Sequence, residues 1–502
     1  MLKYLTNGYK WLSIFSLRRG WGGFCNPKME LRNTLGYLGL FLEINGVILL
    51  APVFIALYYN EDTLPFLLSF ILSILVGRIL TRYPRRELDF GNAMLLSVIT
   101  LLVVSFFGAI PFFMTMRGRL IDVLVDGYFE SISGYTTTGL SVISNPDGYP
   151  KSVLFVRALA QWIGGIGIIV LCFSGLVREG ISTISIYRSE LGLDRIHPSL
   201  RRTVREINKI YVVYTLIGVL LLWISGMDLI DSLTQILCAI STGGFAFSES
   251  ASYGNWISQS VIVAFMLIGA TAFPLHYMLL NGRFREFLNS TEIKALIVIL
   301  LIGIGLFAII LHHDGMDIGD SIEHSVFNIV SALTTTGYSD MDFSNVHEFG
   351  PLLLIVMMLI GGGIGSTAGG LKLIRIAILV KSVAWIMRKL TLSERAVVPL
   401  KVGGRVLEEK EVISTAVFFF MYIIITIFGA IVLTGYDYSM VDALFVSSSA
   451  IGTVGLSTIE ISTLPILAKI VLIIEMVAGR LEIFPLMALI HYTIRRVEGK
   501  RI

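Results

Sequence analysis

Charge is scarce in this chain. Asp, Glu, Lys and Arg make up 15% of its 502 residues, against 55% hydrophobic residues. That balance excludes an ordinary soluble domain and a disordered one. Cysteine is scarcer still: Cys25, Cys172 and Cys238 are too few and too scattered for a disulfide framework or a structural zinc site. The apolar runs are continuous rather than alternating, which excludes a transmembrane β-barrel. There is no H-E-x-x-H motif, and His312-His313 lacks a metal-ligand spacing, so neither enzyme activity nor a bound cofactor is expected. The first 30 residues, with Arg18, Arg19 and Lys28 among aromatics, lack the apolar core and cleavage site of a signal peptide. They read as an interfacial arm.

What the sequence has is long apolar runs. Spans are expected at 35–57, 64–83, 91–114, 152–176, 209–229, 256–280, 293–312, 350–380, 411–434 and 463–494. Ten spans put both termini on one side of a lipid bilayer. Charge tests the count independently. Segments 226–255, 313–349 and 435–461 contain no Lys or Arg, whereas the segments facing the other way hold Arg78, Arg82, Arg85 and Arg86, then Arg188 to Lys209, then Arg283, Arg285 and Lys294, then 372–410, and finally Arg495, Arg496, Lys500 and Arg501. Basic loops stay inside, so both termini are assigned to the cytoplasm and the protein to the cell membrane. The outer segments carry Asp228, Asp231, Glu249, Asp314, Asp317, Asp320, Glu323, Asp340, Asp342 and Glu348. Such an acidic mouth would concentrate cations.

Four outer segments also hold an apolar stretch too short to span. They are DGYFESISGYTTTGLS from Asp126, DSLTQILCAISTGGFA from Asp231, HSVFNIVSALTTTGYS from His324 and DALFVSSSAIGTVGLS from Asp442. Aligned on their first residues, a glycine falls at the same place in each: Gly139, Gly244, Gly337 and Gly455. This is an internal repeat of span, re-entrant helix, Thr/Gly turn and span. The expected fold is an all-α polytopic membrane protein with four such repeats in fourfold pseudosymmetry, plus two extra N-terminal helices. The expected units are an arm at 1–33, a two-helix unit at 34–88, and pore repeats at 89–180, 181–285, 286–390 and 391–502.

Non-helical backbone at membrane depth is tolerated where protein buries it or a water-filled path receives it. A short helix aims its negative end inward, and the turn after it can direct carbonyls at a common axis. Four turns would then replace the hydration shell of a monovalent cation. The residues assigned to that ring are Thr137, Thr138 and Gly139; Thr242, Gly243 and Gly244; Thr335, Thr336 and Gly337; and Thr453, Val454 and Gly455. No carboxylate lies within these turns, as Mg²⁺ or Ca²⁺ would require. Thr453-Val454-Gly455 repeats the start of the potassium-channel filter sequence.

With QWIGGIGIIVL (161–171), IGGGIGSTAGG (360–370) and GRLEIFPL (479–486), the four turns resemble the Trk/Ktr/HKT superfamily of potassium transporters, and within it the Trk-type membrane subunit. The resemblance covers nearly the whole chain. It implies potassium as the transported substrate and filter glycines that set selectivity; glycine at all four positions favours potassium. It also implies a homodimer and a separate cytosolic nucleotide-binding regulatory ring of the TrkA type, with no nucleic-acid partner. Two departures, His324 where other repeats have Asp and Gly452 where two have Thr, bear on repeats three and four.

The eighth span is interrupted. Gly361, Gly362, Gly363, Gly365, Ser366, Thr367, Ala368, Gly369 and Gly370 lie among apolar residues, and each glycine disfavours helix by about 1 kcal/mol relative to alanine. This stretch reads as an intramembrane gate below the turns; small-residue helix packing is the plainer alternative. GSTAGGLK lacks the residues of a phosphate-binding loop. Arg480, deep in the last span, is the candidate for a charge that restrains cations or anchors the gate, with Glu475 or Glu482 as alternative partners. The resemblance places the matching arginine by the pore. Lys469 could serve in the same way, but it lies nearer the outside, where it would simply snorkel. Gly164, Gly165 and Gly167 read as packing residues, His276 as a satisfied buried histidine, and Pro485 as a kink. Sodium permeation, or coupling to sodium or protons, is the alternative within transport; a non-transporting scaffold is the alternative outside it.

Overall fold

The computed structural model describes residues 31–85, 88, 90–173, 200–247, 253–343, 346–392, 398–483, 485–487 and 489–490. The N-terminal arm, the loop with Arg188 and Arg195, Glu249 and the basic tail from Arg495 lie outside the described residues.

Apolar runs become helices because a backbone removed from water must satisfy its own polar groups. The chain opens with α1 (Leu31–Ile48), α2 (Ala51–Tyr59) and α3 (Leu64–Leu80). Next come α4 (Phe90–Gly108), α5 (Ile110–Thr115), α6 (Leu120–Tyr135) and α7 (Lys151–Phe173), then α8 (Leu200–Ile224), α9 (Leu229–Ile240), α10 (Trp256–Ala270), α11 (Phe273–Leu280) and α12 (Phe284–Asn289). The third quarter holds α13 (Thr291–His313), α14 (Ile318–Leu333), α15 (Phe349–Ile360) and α16 (Leu373–Thr391). The last holds α17 (Glu409–Thr434), α18 (Met440–Gly452) and α19 (Ile466–Arg480). Lys401–Val402 and Arg405–Val406 pair antiparallel as a minimal ladder.

Among the described residues, five stretches are long and apolar enough to cross a membrane: Arg32–Tyr59, Asn92–Thr115, Arg205–Ile224, Thr291–His313 and Glu409–Thr434. The other expected spans are present in altered form. The sixth is bent by 106° between α10 and α11. The eighth is split into α15 and α16. The tenth ends at Arg480, and the chain turns through Glu482 (φ 61°) and Ile483 (φ 60°) before resuming as helix, so the break precedes Pro485. Large apolar side chains point outward on the long helices, as with Leu216 and Trp223 on α8, Leu301 and Ile309 on α13, and Phe420 and Phe428 on α17. A soluble surface does not carry such a belt.

The short helices α6, α9, α14 and α18 are buried along their C-terminal halves. Each packs against its own flanking helix and also against the helix that follows the previous turn. Thus α9 lies on α7, α14 on α10, and α18 on α15, while α6 closes the cycle on α19. The chain therefore returns to its own beginning around a central axis.

Candidate functional site: a ring of four turns over an intramembrane loop

The four turns share one backbone conformation. Thr137 (φ 55°), Thr242 (φ 52°), Thr335 (φ 57°) and Thr453 (φ 51°) all adopt the left-handed region. A β-branched residue there is a true outlier, costing about 1–3 kcal/mol each. The strain is compensated by capping. In each turn the next residue returns its N–H five positions back, to the end of the short helix: Thr138 to Ser133 (2.9 Å), Gly243 to Cys238 (2.9 Å), Thr336 to Ser331 (2.9 Å) and Val454 to Ser449 (2.9 Å). This is the Schellman pattern with threonine in place of glycine.

The glycine that follows also has positive φ: Gly139 (86°), Gly244 (71°), Gly337 (85°) and Gly455 (102°). Its lack of a side chain has a second cause. A β-carbon on Gly139 would collide with the carbonyl oxygen of Gly243, one on Gly244 with that of Thr336, one on Gly337 with that of Val454, and one on Gly455 with that of Thr138. Every glycine thus admits the carbonyl of the next turn, and the fourth leads back to the first. The glycines are partly accessible, whereas the three residues before each are buried. The assembly is neutral and rich in oxygen, suited to a weakly hydrated monovalent cation rather than a divalent one.

Beneath the ring lies the interruption between α15 and α16. Gly361 to Gly370 are buried throughout. The loop is pinched at its neck, where Leu371 N donates to Leu359 O and Lys372 N to Ile360 O, both at 2.9 Å. Gly361 (φ 72°) and Gly370 (φ 75°) face each other there with no room for a β-carbon on either. The loop then reaches the turns. Gly369 N donates to the Thr335 hydroxyl at 2.7 Å, Thr242 Oγ1 donates to Thr367 Oγ1 at 3.3 Å, and a β-carbon on Gly369 would strike Thr453 Oγ1. The hydroxyls of Thr137 and Thr453 are buried without a protein hydrogen bond. Gly362, Gly363, Gly365, Ser366 and Ala368 complete the loop, with Gly363 N donating to Ala270 O (2.9 Å), Ser366 Oγ to Gly363 O (2.6 Å), and Phe273 N to Gly365 O (3.2 Å).

Arg480 meets this loop. Its guanidinium donates to Thr367 O at 2.7 Å and to Gly164 O at 2.6 Å, so one side chain joins the loop to α7. Of the two carboxylates the sequence offered it, Glu482 is held by Arg375 at 2.5 Å and Glu475 receives the Ser447 hydroxyl at 2.6 Å. Two further groups brace the site without having stood out in the sequence. Glu292, in the first turn of α13, accepts Ile364 N at 2.9 Å. Gln161 on α7 donates to Gly243 O at 2.6 Å. The signal for Gln161 was a lone amide in an apolar run; Glu292 read as an ordinary acidic residue at a helix start.

Other expectations find plain positions. Lys469 does not snorkel; it is buried and bonds Asp126 at 2.6 Å and Ser462 O at 2.9 Å. His276 bonds Ile268 O at 3.0 Å, as a satisfied buried histidine should. Gly164 and Gly165 are packing positions, against Tyr135 and Tyr211, but Gly167 faces open space. Several outer carboxylates have structural tasks. Asp228 and Asp317 cap α9 and α14, and Asp340 accepts from Asn328 (2.6 Å) and lies 3.0 Å from His324 Nδ1. Burial pushes the Asp340 carboxyl up, with His324 and Asn328 pulling the other way.

The family described as TrkH, cation transport protein, matches residues 65–493. A cation transporter of Methanocaldococcus jannaschii is 35% identical over 476 residues, covering 93% of this chain and 97% of that one. The Trk system potassium uptake protein TrkH of Vibrio parahaemolyticus is 31% identical over 488 residues, covering 93% and 100%. The crystal structure of the potassium transporter TrkH from Vibrio parahaemolyticus is similar to this fold with a TM-score of 0.81 at 29% identity, covering 92% of this chain and 98% of that one.

Proposed function

Since this chain belongs to the TrkH family of cation transport proteins, a family of multi-pass membrane transporters rather than enzymes, we propose that it carries potassium into the cell through a pore formed by one polypeptide. The selectivity filter is the ring of four turns. One observation carries this reading: four threonines at one register are held left-handed, and two residues after each stands a glycine against which the next turn's carbonyl rests. With the N–H groups returned to the short helices, the carbonyls keep lone pairs for an ion. Potassium is the substrate and no cofactor is needed.

The loop from Gly361 to Gly370 is the gate of that pore, and Arg480 anchors it. The missing Lys and Arg in segments 226–255, 313–349 and 435–461 support cytoplasmic termini. The proposal extends to a homodimer that works with a cytosolic nucleotide-binding ring; copurification with such a partner, and mass measured in detergent, test it.

The deciding experiment is flux in proteoliposomes under potassium, rubidium, sodium and lithium gradients. Potassium and rubidium are expected to exceed sodium and lithium, and Gly139→Ser to lower that preference. Equal potassium and sodium rates in the wild type refute the filter. A flux that follows an imposed pH or sodium gradient would identify coupling.

A further inference from the structure

The residue before each ring glycine fills its own niche in three of the four turns. In turns one and three, Thr138 and Thr336 place their hydroxyls against Thr136 (2.7 Å) and Thr334 (2.8 Å). In turn four, Val454 is fully buried in an apolar cluster with Phe445 and Leu456. Turn two has Gly243, which brings no side chain.

The niche is nonetheless full. Gln161 reaches in from α7, fully buried, and its carboxamide occupies the volume that a side chain at 243 would take: a β-carbon there would lie 2.5 Å from Gln161 Oε1 and 2.6 Å from Nε2. Gln161 then straddles the ring glycine. Nε2 donates to Gly243 O at 2.6 Å, and Oε1 accepts Phe245 N at 3.3 Å. Gly243 O is the ring carbonyl that rests against Gly139.

We propose that Gln161 is a positioning residue of the filter, supplied by the first repeat to the second, and that it sets the preference among monovalent cations. A carbonyl has two lone pairs. One is held by an amide that is itself anchored; the other is left for the ion. To close on an ion smaller than potassium, the Gly243 carbonyl would have to move away from Nε2 and break that bond. The restraint therefore disfavours sodium and lithium more than potassium or rubidium.

The inference rests on the ring being the filter, so its test carries a separate reporter for that reading. Cation fluxes are measured in proteoliposomes for Gln161→Leu, Gln161→Ala, Gly243→Thr, the double variant Gln161→Ala with Gly243→Thr, and Gly139→Ser. Gln161→Leu is expected to lower the potassium-to-sodium flux ratio about three- to tenfold, the scale of one hydrogen bond. Gly243→Thr alone loses flux by collision with Gln161. The double variant, which moves the side chain from one repeat to the other, regains flux and selectivity above both Gln161→Ala and Gly243→Thr. An unchanged ratio in Gln161→Leu beside a changed ratio in Gly139→Ser overturns the role of Gln161 and leaves the filter standing. Unchanged ratios in both remove the filter reading and this proposal together. If Gln161→Leu fails to reach the membrane, the double variant decides: recovery over Gly243→Thr supports the exchange, and its absence overturns it.

Discussion

Arg480 donates 2.7 Å to the carbonyl of Thr367, and through its other amine 2.6 Å to Gly164, so a cation at the end of α19 spans from the buried loop to a neighbouring helix. Both acceptors are backbone oxygens. The guanidinium thus ties the loop to α7 by two charged hydrogen bonds.

Replacing Arg480 with alanine removes the anchor and the charge together. We expect unstimulated rubidium leak through reconstituted protein to rise about tenfold, the scale of one lost charged hydrogen bond. Arg480→Lys retains charge but cannot reach two carbonyls in a fixed fork, and should leak at an intermediate rate. Unchanged leak at equal protein abundance would refute the anchoring role.

Glu292 meets the same loop at a second point, through Ile364 N. Glu292→Ala should destabilise the protein by about 1–3 kcal/mol, because a buried N–H loses its acceptor, and should raise leak as well. Glu292→Gln keeps an acceptor and is expected to restore both. Melting temperature and leak measured on the same preparations check this; a leak that ignores both substitutions would count against it.

Gly337→Ala is predicted to lower potassium flux and its preference over sodium. The added carbon meets the carbonyl of Val454, and alanine is strained at φ 85°. Gly305→Ala, on α13 with nothing within 4 Å, should transport as the wild type does. Similar flux from the two variants would contradict the close approach in the ring.

Glu130 and Arg157 form an ion pair at 2.8 Å with both side chains almost wholly buried, and Arg157 also lies over the Phe245 ring at 4.2 Å. Glu130→Gln leaves a buried cation without its counter-charge and should cost about 3–5 kcal/mol. The double variant with Arg157→Met is expected to be milder than Glu130→Gln alone. Denaturation midpoints of the set decide; a double variant as damaged as the sum would refute coupling between them.

Glu460, exposed beyond turn four, accepts hydroxyls from Ser144 at 2.6 Å and Ser462 at 2.7 Å. The Ser144 bond first, then Ser462, holds its carboxyl below the ordinary value. A depressed folded-state pKa contributes stability above the unfolded value of about 4.3, and that contribution is lost as pH falls through the folded value. Protection of the amides around Ser144, taken relative to their intrinsic exchange, should therefore fall as pH drops through the carboxylate range. Glu460→Gln should flatten that dependence.

The helices, the repeat and the loop were legible because each leaves a local mark: apolar length, a glycine at a fixed interval, a helix broken by glycines. The short helices could be placed from apolar stretches too short to span, with Gly139, Gly244, Gly337 and Gly455 giving the register. The left-handed threonines were not legible, since Thr carries no preference for that region and adopts it here through the Schellman bonds. Nor were the braces. Gln161 and Gly243 lie 82 positions apart, and Arg480 and Gly164 lie 316 apart; no local pattern pairs them. Lys469 was read as snorkelling because its partner Asp126 lies 343 residues away.

The cyclic order of the turns, each leaning on the next and the fourth on the first, is closed by one covalent chain. In a ring built from four identical subunits a single substitution arrives four times, and the conduit experiences every change at full dose. Here each quadrant is inherited separately. A change at one corner can be tried while three remain as they were, and a turn that loses a side chain can be repaired by its neighbour. Such a ring can be adjusted in quarter steps.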